Sequence, residues 1–69
     1  MPSHVIRSFD YDAGERRLHV KFVSGRRYDY FGVPPETYEG MRRSFSKGEF
    51  FNAHIRDRFE FAAADWDRV

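Results

Sequence analysis

Leu18-His19-Val20-Lys21-Phe22 alternates apolar and polar residues, and the alternation resumes a few residues later in Arg27-Tyr28-Asp29-Tyr30-Phe31. A period of two is the mark of a β-strand with one face in a core and the other in water. Between the runs lies Val23-Ser24-Gly25, which suits a three-residue hairpin loop with glycine at its left-handed position. Loop length then decides which residues share a face. Three residues set Val20 opposite Tyr28 and Leu18 opposite Tyr30, so that both tyrosines join Leu18, Val20 and Phe22 on one face. A two-residue loop would put Arg27 and Asp29 there instead. The hairpin therefore has one physically acceptable register.

The flanking sequence extends this unit in both directions. Val5, Ile6, Phe9 and Tyr11 form a preceding strand that ends in the turn Asp12-Ala13-Gly14-Glu15. Ile6 and Phe9 cannot share a face in an unbroken strand, so a bulge is expected near Arg7-Ser8. Gly32-Val33-Pro34-Pro35 stops the sheet, and Pro35 serves as a first helical residue. Glu36 suits the positive end of the helix dipole, while Tyr38, Met41 and Phe45 recur at the spacing of an inner helical stripe. Gly40 is unfavourable in a helix by about 1 kcal/mol relative to Ala and is expected to allow a close approach to the sheet. Ser46-Lys47-Gly48-Glu49 matches a capping box, with Ser46 as N-cap and Glu49 reaching back. It opens a second helix to about Arg56, with Phe51 and Ile55 inside. Phe59 and Phe61 follow as a short strand or an extended cover, and Ala62-Ala63-Ala64 leads into Asp65-Trp66-Asp67, a fraying tail. The expected fold is α+β: a three-stranded antiparallel β-meander followed by two α-helices packed on one face. Residues 1–59 form the domain and 60–69 a C-terminal extension.

A chain of 69 residues buries only about 60% of its unfolded surface, so each core residue must cover a large area. Eight Phe, four Tyr and one Trp supply that area. The absence of cysteine removes disulfides, thiolate zinc sites and a cysteine nucleophile. No apolar run approaches the roughly 20 residues of a membrane span, and Met1-Pro2-Ser3-His4 does not begin a signal peptide; the expectation is a cytoplasmic domain with no membrane partner. His4, His19 and His54 have no ligand spacing, and although His4 and His19 can approach across the first hairpin, a metal would need further ligands. Ser24, Ser44 and Ser46 have turn and capping roles, and none stands in a Gly-x-Ser-x-Gly elbow. Asp10, Asp12 and Glu15 surround a turn, where Asp bonds nearby backbone. There is no glycine-rich phosphate loop. No enzyme activity, cofactor or metal is expected.

The formal net charge of +1 conceals a split: residues 1–59 carry eleven Lys/Arg against eight Asp/Glu. Eight of the ten arginines fall in close pairs, at Arg16-Arg17, Arg26-Arg27, Arg42-Arg43 and Arg56/Arg58. Arginine is the cation suited to bidentate recognition of phosphate or carboxylate. Two constellations carry binding chemistry. In the first, Arg26, Arg27 and Phe31 combine cations with a ring on the third strand, the ingredients of single-strand binding on a sheet; Tyr28 and Tyr30 are read as core. In the second, Lys47, Asn52, His54 and Arg56 line a polar face of the second helix, whose N-terminal N–H groups near Lys47 suit a phosphate.

The ordered set Ile6-Arg7-Ser8-Phe9-x-Tyr11-Asp12, Leu18-x-Val20-x-Phe22-x-x-Gly25-x-x-Tyr28-x-Tyr30, Gly32-Val33-Pro34, Tyr38 and Ser46-x-Gly48-x-Phe50-Phe51-Asn52-x-x-Ile55-Arg56 resembles the KTSC domain. That family is named after the C-terminal end of some bacterial lysyl-tRNA synthetases and also occurs as small stand-alone proteins. The resemblance covers roughly residues 4–59. It departs from the pattern at Arg43-Ser44-Phe45-Ser46, where a small residue tends to precede the serine, and after Phe59. It implies an association with RNA and carries over no catalytic residue. The expected function is a non-catalytic binding module for RNA or tRNA, and the alternative is an adaptor that docks on a larger assembly through an aromatic–arginine patch.

Overall fold

The computed structural model describes residues 6–64, which form, in chain order, β1 (Ile6–Asp12), β2 (Arg17–Phe22), β3 (Arg27–Phe31), α1 (Pro35–Arg43), α2 (Lys47–His54) and β4 (Phe61–Ala63). The central hairpin takes the register set by its loop. Val20 lies opposite Tyr28 and Leu18 opposite Tyr30, and the Gly25 N–H donates to the Phe22 carbonyl at 2.8 Å. Gly25 has φ +97°, a conformation that favours a residue without a Cβ. In β1 the register slips between Ile6 and Ser8. The slip is the bulge that lets Ile6 face Phe22 while Phe9 faces Val20.

The sheet has four strands in the order β1-β2-β3-β4, not the three expected. The added strand pairs Tyr30 with Phe61 and Tyr28 with Ala63, beyond the boundary at residue 59 that the sequence suggests. Strand β3 would otherwise leave a row of backbone donors and acceptors unpaired. The Phe31 N–H donates to the Glu60 carbonyl at 2.9 Å, and the Ala64 N–H to the Arg27 carbonyl at 2.8 Å. Asp65-Trp66-Asp67, the expected fraying part of the tail, lies outside the described residues.

Both helices pack on the face that carries Leu18, Val20 and Tyr30. The core consists of these three with Val33, Met41, Phe51 and Ile55. Over β1, the Tyr38 ring stacks on Tyr11 at 4.5 Å and meets Phe9 edge-on at 6.0 Å. Phe45 does not join this stripe and is fully exposed, at 105%. Helix α1 stops at Arg43, and Ser44 turns to an extended conformation with ψ 144°, so the i, i+3, i+7 spacing no longer describes a helix face. Gly40 does permit a close approach, but between helices. A Cβ there would lie 2.7 Å from Cζ of Phe50 in α2.

The cap of α2 is shared between two serines. Ser46 Oγ accepts from the Glu49 N–H at 3.3 Å, as a capping box requires, but the Ser46 N–H donates to Ser44 Oγ at 3.0 Å. Ser44 thus takes the place expected of the Glu49 carboxylate. Replacing Ser46 with Ala is expected to cost about 1 kcal/mol, and Ser46→Asp much less, measured by urea denaturation. Equal losses from both would show that the side chain does more than cap.

Candidate functional site

Helix α1 covers β1, and α2 reaches Phe22 and Tyr30. The inner side of β4 receives less cover, so Phe61 stays 56% exposed. This offset leaves a groove of about 520 Å³ between the end of α2, the β2–β3 hairpin and β4. Its floor is a closed circuit of five rings. Phe22 meets Tyr28 at 5.8 Å, Tyr28 meets Phe61 at 5.7 Å, and Phe61 meets Tyr30 at 5.4 Å. Tyr30 then meets Phe51 at 5.2 Å, and Phe51 returns to Phe22 at 5.5 Å. Contacts at these separations and mostly edge-to-face angles fix one another's orientation.

The rim is polar. Ser24 and Arg26 stand on the hairpin, with Asn52, Arg56 and Asp57 on the opposite side. The turn after α2 places the last two: the Ile55 and Arg56 N–H groups both donate to the Phe51 carbonyl at 2.9 Å. Two guanidinium groups, an amide, a hydroxyl and one carboxylate therefore surround an aromatic floor.

Burial dominates the electrostatics of that floor. Tyr30 is only 4% exposed, and its phenol is pushed up to about 12, first by desolvation and then by Tyr28; Arg56 opposes the shift and Asp57 adds to it. A phenol harder to ionise folded than unfolded stabilises the fold below the unfolded value of 10, and that stability is lost as pH rises toward 12. Denaturation midpoints are expected to fall steeply between about pH 10 and 12 and less steeply in Tyr30→Phe. Identical pH dependence in the two proteins would contradict this placement of the hydroxyl.

Of the residues singled out from the sequence, Arg26, Asn52 and Arg56 meet at this groove. Arg27 and Phe31 lie on the other face of the sheet, where Arg27 pairs across from Lys21 and Phe31 from Arg17. There the Arg17 guanidinium sits over the Phe31 ring at 5.2 Å, and His19 Nδ1 meets Asp29 Oδ1 at 2.7 Å. Asp10 and Asp12 stand opposite His19 and Arg17, so acids interleave with the cations of that face. Lys47 turns its ammonium to the Ser44 carbonyl at 2.7 Å, and the His54 ring packs on Phe50 at 4.4 Å. Sequence reasoning missed Asp57, Ser24 and Phe61 as site residues and favoured the core over base stacking for Tyr28 and Tyr30. The one signal that could have found them was the parity of Phe61, which only strand pairing with Tyr30 reveals.

Among the described residues, no group of three or more His, Asp or Glu is arranged to hold a metal ion, and His4 lies outside them. No helix among the described residues is long and apolar enough to cross a membrane.

Comparison with known proteins places this geometry among relatives. The KTSC domain family model matches residues 2–59. A lysine–tRNA ligase of Nostoc punctiforme is 40% identical over 57 residues, covering 83% of the chain and 10% of the ligase. The chain thus spans about a tenth of that enzyme's length. A small protein of Tsukamurella paurometabola is 34% identical over 61 residues, 88% of the chain and 91% of that protein. The crystal structure of a KTSC domain protein from Yersinia pestis superposes with a TM-score of 0.83 at 32% identity, covering 86% of the chain and 83% of that structure.

Proposed function

The chain belongs to the KTSC domain family, and from that premise we propose that it is a non-catalytic module that binds unpaired RNA in the aromatic groove. The observation that carries this reading is the five-ring floor with Arg26, Asn52 and Arg56 on its rim. Unpaired bases stack on aromatic rings and give about 1–3 kcal/mol each. Arginines at the edge meet the flanking phosphates, and an amide such as Asn52 can bond a base edge. The acids interleaved with cations on the opposite face disfavour a polyanion there. A non-catalytic role fits the rim, which contains no histidine, while the Ser24 hydroxyl accepts from the Arg26 N–H at 3.4 Å. The tRNA ligases among the relatives support RNA as the ligand class.

The test is fluorescence anisotropy with short single-stranded RNA, hairpin-loop RNA and tRNA across a salt series. Two neutralised phosphates would give a slope of about −1.4 in log K against log salt, from about −0.7 each on single strands. A blunt RNA duplex is expected to bind more weakly than the single strand, because paired bases cannot reach the floor. Absence of binding to every RNA at about 20 mM salt, where screening is weak, would overturn the reading in favour of a protein partner. A protein retained from lysate after nuclease treatment would then be the candidate occupant.

A further inference from the structure

In a groove that receives a polyanion, the carboxylate of Asp57 on the rim is repulsive unless it accepts hydrogen bonds from the ligand. Asp57 lies in the turn after α2, which the Arg58 N–H closes on the Ile55 carbonyl at 3.0 Å. Its side chain is exposed and forms no hydrogen bond or ion pair with a described residue, its neighbours Arg56 and Arg58 included. Deeper in the groove, the Tyr30 hydroxyl has the same need. Tyr30 is 4% exposed and lines the groove, yet its hydroxyl has no hydrogen-bond partner among the described residues. A polar group this deeply placed normally has one, and leaving it without is costly. After burial and Tyr28, the groups that act on this hydroxyl are Arg56 and Asp57. Phenol and carboxylate thus belong to one end of the groove.

The two groups together suit a ligand with adjacent donors for the carboxylate and an acceptor for the phenol. An unpaired base presents its Watson–Crick edge to such groups. Guanine offers a ring N–H next to an amino group, with a carbonyl beside them. Adenine and cytosine offer an amino group alone, and uracil a ring N–H alone. Resting on the RNA reading, we infer that the groove selects guanine: Asp57 accepts from its ring N–H and amino group, and the Tyr30 hydroxyl donates to its carbonyl. Phe61, 56% exposed, supplies ring surface beside it for stacking, and Arg56 remains for the flanking phosphate. Facing any other base, the carboxylate lacks a donor while still repelling the strand.

Fluorescence anisotropy with a short all-uridine RNA, and with strands carrying one central guanosine, inosine, adenosine or cytidine, tests this. The guanosine strand is expected to bind about 10- to 100-fold tighter than the uridine, adenosine and cytidine strands, the range of a two-bond base contact. Inosine, which lacks the amino group, should fall between them. Asp57→Asn has no partner within the fold to lose, so its melting temperature should match wild type while the guanosine preference drops to about threefold or less. Tyr30→Phe removes the hydroxyl alone and should narrow the preference by about three- to tenfold. Equal affinity for all the strands, or preference for another base, overturns guanine selection and leaves the groove an RNA site. A guanosine preference that survives Asp57→Asn overturns it as well. Binding to none of the strands removes the RNA reading and this inference together.

Discussion

Replacing Tyr30 with Ala is expected to destabilise the domain by about 3–5 kcal/mol, the loss typical of a large aromatic removed from a core. The ring is 4% exposed and touches Phe51 at 5.2 Å and Phe61 at 5.4 Å. It also pairs with Leu18 on one side and Phe61 on the other, so it links the central hairpin to both α2 and the fourth strand. Small domains hold about 0.05–0.15 kcal/mol of stability per residue. A loss of this size would remove a large share of the domain's total stability, read as a marked drop in the urea midpoint. Tyr28 is half-buried, and Tyr28→Ala should cost clearly less. Similar losses for the two would contradict the placement of Tyr30 at the buried base of the groove and Tyr28 in the more exposed part of its floor.

The second large effect concerns ligand binding. Removing both Arg26 and Arg56 by alanine substitution is expected to lower RNA affinity by roughly 30- to 150-fold, at about 1–1.5 kcal/mol per hydrogen-bonded cation. The salt slope should fall almost to zero, since these two side chains supply the expected phosphate contacts. Both are exposed, so stability should change by no more than about 0.5 kcal/mol each. Arg27→Ala is the matched control. Its guanidinium donates to the Gly25 carbonyl at 2.9 Å on the other face, and its loss should change affinity less than twofold or so. A larger effect from Arg27 than from the pair would move the site to the outer face.

The hairpin and its register were legible because parity admits one answer: only the three-residue loop keeps Arg27 and Asp29 out of the core. The β1 bulge followed from the same rule applied to Ile6 and Phe9. Phe45 was misplaced because periodicity cannot register where a helix stops. The Ser44–Ser46 hydrogen bonds end α1 early, and they become visible only once both serines are in place. A short strand at Phe61 was one of two readings the sequence allowed, but its place in the sheet was obscured because Phe61-Ala62-Ala63 is too short to show a period and its partner lies some thirty residues earlier in β3. The candidate site was half legible for the same reason. Arg26, Asn52 and Arg56 could be chosen by residue type, but whether they meet depends on which face each element presents. Arg26 and Arg27 are adjacent in sequence, yet only Arg26 lines the groove.

Amide chemical-shift mapping during titration of the isotope-labelled chain with a short single-stranded RNA shows which face of the sheet the ligand occupies. RNA bound in the groove is expected to give the largest shifts on Ser24, Arg26, Tyr28, Asn52, Arg56, Asp57 and Phe61. Shifts concentrated instead on His19, Lys21, Arg27, Asp29 and Phe31, or none at saturating RNA in low salt, would contradict it.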